Sequence, residues 1–226
     1  MKLNKIHIYT SQIESPWPVE VFQKMMQLIP AELQEKVLSE VGWEKQYGSL
    51  ARKLLLWHGM NVLETDMNDL FECLEYEPSG KPFIVDAPHF SLANDESVAV
   101  CALSNHSVLG VDIERQKPVD LSQFREQMTY KEWREIYSHV IPLRRFYEFW
   151  TIKESVLKAD KMMDRFDLKE IFIDPDVAFC HGNYWYINPI ETTYYGYICH
   201  VVSSLPHAEI IYEEIDLLDI FKDALK

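Results

Sequence analysis

The sequence predicts an α+β protein made of two similar α/β halves in one chain, with a site in the cleft between them. Three observations carry this expectation. Helical periods and strand-like runs alternate along the 226 residues. A helix followed by several strands occurs twice: Gly80–Val85 resembles Gly182–Ile187, Ser97–Ser104 resembles Gly196–Ser203, and the helix around Leu54–Leu63 has a counterpart at Phe149–Leu157. The hydrophobic content of 47% is enough for a sizeable core, while aromatic residues at 13% and only seven glycines argue against disorder. The expected halves are residues 1–106 and 107–226, joined near Asn105 to Gly110, and the second half carries the chemically distinctive segments.

Composition excludes several classes. No run of about 18 apolar residues exists, so no membrane-spanning helix or membrane partner is expected. Met1 to Tyr9 alternates like a strand at once, without an apolar signal-peptide stretch. Cys73, Cys101, Cys180 and Cys199 show no CxxC spacing, and two of them sit in apolar strand-like runs. Reduced thiols in a cytoplasmic protein are therefore expected. A net charge of −14 argues against a nucleic-acid partner. The charge is uneven: residues 115–145 carry +3, which leaves −17 for the remainder. Such a basic patch can steer an acidic partner, or it can be a pair of solvated helix faces.

In chain order, the first strand is followed by a loop at Pro16 and Pro18. Helices are expected from about Val19 to Leu28 and from about Ala31 to Glu40, with Pro30 between them. A long helix runs from Trp43 to Leu63, with Leu50, Leu54, Leu55, Trp57 and Val62 on its apolar face. Phe71–Tyr76 reads as a strand, Pro78–Pro82 as a turn, and Phe83–Val85 as a short strand. Phe90–Leu92 and Ser97–Leu103 are strands around the polar turn Asn94-Asp95-Glu96, followed by the strand Val108–Glu114. Leu143 to Phe172 contains neither Gly nor Pro and reads as helix, with Phe146, Phe149, Ile152 and Val156 recurring on one face. From Ala208 to Lys226 a strand leads into a short acidic helix.

Two segments carry the chemistry. In Gly110-Val111-Asp112-Ile113-Glu114, Asp112 and Glu114 share one strand face, about 6.6 Å apart along the backbone, close enough to share a hard cation such as Mg²⁺. The bland alternative is the solvent face of an amphipathic strand. In Phe149–Lys158, Lys153 falls in the middle of the apolar arc, where an ammonium is costly unless something anionic meets it. Glu154 and Lys158 lie at the edge of that arc with Lys161 beside them. They supply a third carboxylate and further cations, or else an ordinary solvated pair one turn apart.

Together, Gly110–Glu114 and Phe149–Lys158 resemble the (V/I)G(V/I)D(I/V)E…(F/L)W(T/S)xKE(S/A)xxK pattern of 4′-phosphopantetheinyl transferases. The length, the two halves and the Gly80-Lys81-Pro82 turn are similar to the surfactin-type branch, whose members act as monomers. The resemblance implies the pseudo-twofold fold of that family and transfer of the phosphopantetheine arm of coenzyme A to a serine of an acyl or peptidyl carrier protein. It implies Mg²⁺ on Asp112, Glu114 and Glu154, with Glu154 as general base and Lys153 beside it in the catalytic set. Lys153 and Lys158 would neutralise phosphates, and Lys81 would contact the nucleotide end of coenzyme A. The pattern is broken at three places. Ala93-Asn94 stands where a Ser-His pair is usual, which leaves Asn94 to face the nucleotide. Gly48 stands where an arginine is expected, with Arg52 and Lys53 a turn on as substitutes. Asp160–Met163 replaces a glycine-rich turn. A non-catalytic relative that binds coenzyme A or a carrier protein is the rival expectation.

Overall fold

The computed structural model describes residues 4–63, 70–160 and 167–223. Its elements are β1 (Lys5–Gln12), α1 (Val19–Met26), α2 (Ala31–Leu38), α3 (Trp43–Val62), β2 (Glu75–Tyr76), β3 (Pro82–Phe83), β4 (His89–Asp95), β5 (Val98–Ser104) and β6 (Leu109–Arg115), then α4 (Tyr130–Ser138), α5 (Pro142–Asp160), β7 (Phe172–Asp174), β8 (Val177–Cys180), β9 (Asn183–Ile190), β10 (Tyr197–Ser203), β11 (Glu209–Glu214) and α6 (Leu217–Ile220). The mixed α+β class expected from the sequence is what forms. Lys161, and with it the 161–163 part of the altered turn, lies outside the described residues.

Two sheets make the frame, one ordered β11-β1-β5-β4 and the other β6-β10-β9-β8-β7. Their facing sides bury Ile6, Ile8, Val98, Val100, Val111, Ile113 and Val201 in one core cluster. The outer side of the first sheet is covered by α3, whose Leu50, Leu54 and Leu55 pack with Tyr9, Cys101 and Leu103. The outer side of the second is covered by α5 through Ile152, Val156 and Leu157. This helix–sheet–sheet–helix layering follows from period. β5 is buried on both faces and reads as a continuous apolar run, whereas α3 and α5 need only one apolar stripe each.

Some expected elements differ. Phe71–Cys73 forms a turn, with Phe71 packed against the first core, and only Glu75–Tyr76 is strand, paired with β3 in a separate ribbon. The strand beside β5 is β4, so the segment after Gly80 does not take the place that β9 takes beside β10. The stretch expected to continue as helix to Phe172 stops by a 3-10 turn at Leu168–Glu170 and the strand β7. After β10 the chain crosses to the first sheet, where β11 runs parallel to β1 and α6 adds Leu217 to the first core, with Phe221 just beyond it.

The free edges β4 and β6 are joined by side chains. Ser91 Oγ accepts from Val111 N at 3.1 Å and Asp95 Oδ2 accepts from Arg115 N at 2.8 Å. On the other side of β6, α5 comes unusually close. A Cβ on Gly110 would overlap the carbonyl oxygen of Ser155 and lie 2.7 Å from the nitrogen of Ala159. Gly110→Ala is expected to push α5 off β6 and to destabilise the protein by about 1–3 kcal/mol, the usual range for overpacking. Urea unfolding measures this, and a variant within about 0.5 kcal/mol of wild type would mean that the contact yields easily.

Candidate active site

Asp112 and Glu114 lie on the face of β6 that α5 covers, so they line an interior seam and not a solvent face. Asp112 is buried. Its Oδ1 is 2.6 Å from the Nζ of Lys158, which also donates to the carbonyl of Val111 at 3.1 Å. The alternative of a solvated pair one turn apart does not form: Lys158 reaches across to β6, and Glu154 makes no hydrogen bond or ion pair among the described residues. The side chain of Trp150 lies beside Glu114 and favours its charged form. Burial, and then the neighbouring Asp112 and Asp95, push its pKa up to about 8. Burial and Asp112 likewise raise Glu154. Burial raises Asp112 as well, with Lys158 pulling the other way.

One lysine thus faces three carboxylates. The buried Oδ2 of Asp112 accepts no hydrogen bond, which leaves an oxygen without a partner at the centre of the group. A desolvated anion with an unmet oxygen, flanked by two more carboxylates, is chemically suited to a hard divalent cation. The oxygens of the three carboxylates do not all lie within 4.8 Å of one another. Mg²⁺ does not require that, because it commonly keeps several waters and takes one or two carboxylates.

Lys158 also belongs to the wall of a cleft of about 500 Å³. Its lining includes Lys36 and Glu40 near α2, Ser49, Arg52 and Lys53 of α3, Lys81 of the turn before β3, and Phe90 to Asn94 of β4. Lys81 is buried, and its Nζ donates to the carbonyl of Leu109 at 3.0 Å, one residue before the β6 glycine. Arg52 is half-buried and makes no hydrogen bond or ion pair among the described residues. Asn94 faces α3, while Ala93 faces the core between the sheets. A Cβ on Gly48 would overlap the carbonyl of Glu96 and sit 2.8 Å from Asn94 Nδ2, so no arginine fits at position 48 as the chain packs here. Lys36 is a cleft cation that the sequence reading missed, since nothing local distinguishes it from a solvated helix residue.

Lys153 does not join this group, contrary to its expected part in phosphate binding and catalysis. Its side chain is fully buried on another side of α5, where Nζ meets Glu132 Oε2 at 2.9 Å and the carbonyl of Leu168 at 2.7 Å. The anion that the buried arc required is Glu132. Its Oε2 also accepts from Thr129 N at 2.7 Å, closing the capping box of α4. Thr129-x-x-Glu132, the capping-box pattern that starts α4, was not singled out from the sequence.

Among the basic residues of 115–145, Arg115 and Lys117 pair with Asp95 and Glu96. Arg144 and Arg145 pair with Glu148 and Glu135. Arg125 and Arg134 stay exposed beside Tyr130 and Tyr137 and form a surface hollow. His200 lies opposite Asp112 across β10–β6. It holds Thr151 Oγ1 at 2.7 Å and is kept neutral by burial, which lowers its pKa to about 4.

Burial, then Arg52 and Lys36, lower the pKa of Lys53 from 10.5 to about 7, although Nζ donates to Ser49 O at 2.8 Å and Ser49 Oγ at 3.0 Å. The unfolded chain therefore holds this proton more tightly than the folded one. Stability is lost as pH falls from 10.5 towards about 7 and changes no further from this group below that. Lys53→Met should be more stable than wild type at neutral pH, and the gap should close by about pH 10. Chemical denaturation across that range checks this. A constant gap would assign the difference to packing and not to charge.

The family model described as the 4′-phosphopantetheinyl transferase superfamily matches residues 108–193, the segment that holds Asp112, Glu114, Glu154 and Lys158. The chain is 35% identical over 144 residues to 4′-phosphopantetheinyl transferase gsp of Aneurinibacillus migulanus, covering 62% of this chain and 59% of that relative. It is 26% identical over 159 residues to 4′-phosphopantetheinyl transferase Sfp of Bacillus subtilis, covering 68% of this chain and 69% of Sfp. A third relative, psf-1 of Bacillus pumilus, is 32% identical over 90 residues, which is 37% of each chain. The chain thus spans less than two thirds of the length of gsp. The matched segment and these relatives thus show what the chain is similar to: the 4′-phosphopantetheinyl transferase superfamily, and within it relatives such as gsp and Sfp.

Proposed function

We propose that this protein transfers the 4′-phosphopantetheine arm of coenzyme A to a serine of an acyl or peptidyl carrier protein, with Mg²⁺ bound at Asp112, Glu114 and Glu154. The observation that carries the reading is Asp112: a buried carboxylate, with one oxygen on Lys158 and the other unmet, beside a cleft lined by five cations. The relatives' names point the same way.

The serine oxygen forms a bond to the phosphorus that bears the pantetheine arm. The bond from that phosphorus to the bridging pyrophosphate oxygen breaks, and adenosine 3′,5′-bisphosphate leaves. Chemistry of this kind needs positioning and charge neutralisation more than covalent help. Mg²⁺, when bound, neutralises pyrophosphate charge as it develops. Lys158 supplies a fixed cation at the junction of the acidic group and the cleft. Glu154 takes the serine proton, directly or through one water. Burial raises its proton affinity, and it has no partner to compete for its lone pairs among the described residues. Arg52, Lys53, Lys36 and Lys81 offer charge to the nucleotide phosphates.

Purified protein with Mg²⁺ and coenzyme A should add a phosphopantetheine mass to an apo-carrier, tested on both acyl and peptidyl carriers. No mass gain on any carrier would sink the reading. Glu154→Gln should lower turnover by about 10²–10⁴-fold with coenzyme A still bound. Asp112→Asn keeps the shape beside Lys158 and should abolish transfer; the unmet ammonium of Lys158 also lowers stability, so activity is compared at a temperature where circular dichroism shows the variant folded. Activity within a few-fold of wild type in either variant contradicts the role given to that residue.

Arg52 tests the cleft. A charge-assisted hydrogen bond is worth roughly 1.5–3 kcal/mol, so Arg52→Met should raise the coenzyme A Michaelis constant by about 10–100-fold. The loss should be smaller for 3′-dephospho-coenzyme A if Arg52 takes the place of the missing histidine at Asn94. Equal losses for the two donors would move that contact to the pyrophosphate.

A further inference from the structure

The far end of α5 carries a second, chemically different cluster. Asp160 is the last helical residue, Cys180 is the last of β8, and His181 opens the two-residue turn to β9. His181 has φ 48 and Gly182 φ 83, the paired positive values of a type I′ hairpin. The first position of such a turn ordinarily goes to Asn, Asp or Gly. Here a histidine takes it, and its Nδ1 lies 2.8 Å from Asp160 Oδ2 and 3.3 Å from Cys180 Sγ. One ligand atom from each of the three residues falls within 4.8 Å of the other two.

The outward atoms of the same residues are also held. His181 Nε2 faces Glu170 Oε2 at 3.7 Å. Asp160 Oδ1 accepts from Asn183 Nδ2 at 2.9 Å. A histidine with one nitrogen turned inward and the other toward a carboxylate, beside a carboxylate whose outer oxygen is hydrogen-bonded, is the outer-shell arrangement that orients metal ligands. An imidazole–carboxylate pair alone would explain the 2.8 Å contact. It would not explain a buried thiol aimed at the same nitrogen.

We propose that Asp160, Cys180 and His181 hold a divalent transition-metal ion, with water in the fourth position and with Glu170 and Asn183 as the outer shell. Sulfur, nitrogen and carboxylate oxygen together in a compact set suit Zn²⁺ and not the oxygen-seeking Mg²⁺. Roughly tetrahedral bonds of about 2.0–2.3 Å need only a small spreading of the present contacts. Uptake of one ion displaces the Cys180 thiol proton to solvent. Burial, with Asp160 and Glu170, pushes that thiol up to about 11, and a bound cation answers the same two carboxylates. The ion would tie the end of the helix that carries Glu154 and Lys158 to the β8–β9 hairpin. The site is independent of the transfer reaction and stands or falls separately from it.

The test uses the full chain with Cys73, the exposed cysteine, changed to serine. Co²⁺ alone should produce a thiolate-to-metal charge-transfer band in the near ultraviolet, and Zn²⁺ should displace it. Zn²⁺ should also raise the thermal midpoint. Cys180→Ser should abolish the band. His181→Asn, which suits the left-handed turn, should weaken Co²⁺ binding sharply, and Glu170→Gln should weaken it by about 10–100-fold. Circular dichroism confirms that each variant is folded, and Asp160→Asn serves if Cys180→Ser is not. A wild-type spectrum without the band overturns the proposal, as does a band that survives Cys180→Ser. An equal Zn²⁺ rise in midpoint in Cys180→Ser also overturns it, by moving the ion to Asp112, Glu114 and Glu154.

Discussion

Lys158 and Asp112 form a buried pair between α5 and β6, with 2.6 Å between Nζ and Oδ1. Removing either charge would leave the other desolvated and unmet, which is why breaking such a pair costs far more than the pair itself contributes. The contact exists only because α5 lies close on β6. That closeness depends on Gly110, whose missing side chain admits the carbonyl of Ser155. β6 in turn is held against β4 by Ser91 and Asp95. The same lysine is part of the cleft wall, so the acidic seam and the cationic cleft share one side chain.

The first helix uses the same device. Gly48 lets α3 approach the β4–β5 turn as Gly110 lets α5 approach β6. The arginine expected at position 48 and the histidine expected at 94 are thus absent as a pair. With Gly48 against the carbonyl of Glu96 and the amide of Asn94, an arginine at position 48 has no room. Cations a turn further along α3, Arg52 and Lys53, face the cleft instead.

Much of this was legible from residue order. Period separated helices from strands, and the paired segments Gly110–Glu114 and Phe149–Lys158 placed the carboxylates that meet in the seam. What stayed hidden needed three dimensions. Alternation on β6 put Asp112 and Glu114 on one face but could not say that α5 covers it, because a polar strand face looks the same beside water and beside a polar helix face. Lys36 could not be told from a solvated helix residue. The 71–76 run, with Phe71 and Tyr76 at its ends, looked like strand because aromatic enrichment marks half-buried surface as much as extended backbone. The return of β11 to β1 was invisible, since a strand's partner is chosen by tertiary packing and the run Glu209–Glu214 would fit either sheet edge.

The two lysines of the helical pattern show how far a motif alone reaches. Lys153 and Lys158 are five residues apart, which at 3.6 residues per turn separates them by about 140° around α5. They cannot serve one phosphate from one face. Lys158, about 40° from Glu154, faces β6 and the cleft. Lys153 faces α4, where its ammonium joins Glu132 and the carbonyls of Leu168 and Ile171. Its charge anchors the α4 start and the 168–171 segment to the helix that carries the site. A lysine in that setting acts on the site through the position of α5 and not through a phosphate. The buried arc therefore has a cation that ties α4 to α5, and the edge of the same helix has the one that reaches Asp112 and the cleft.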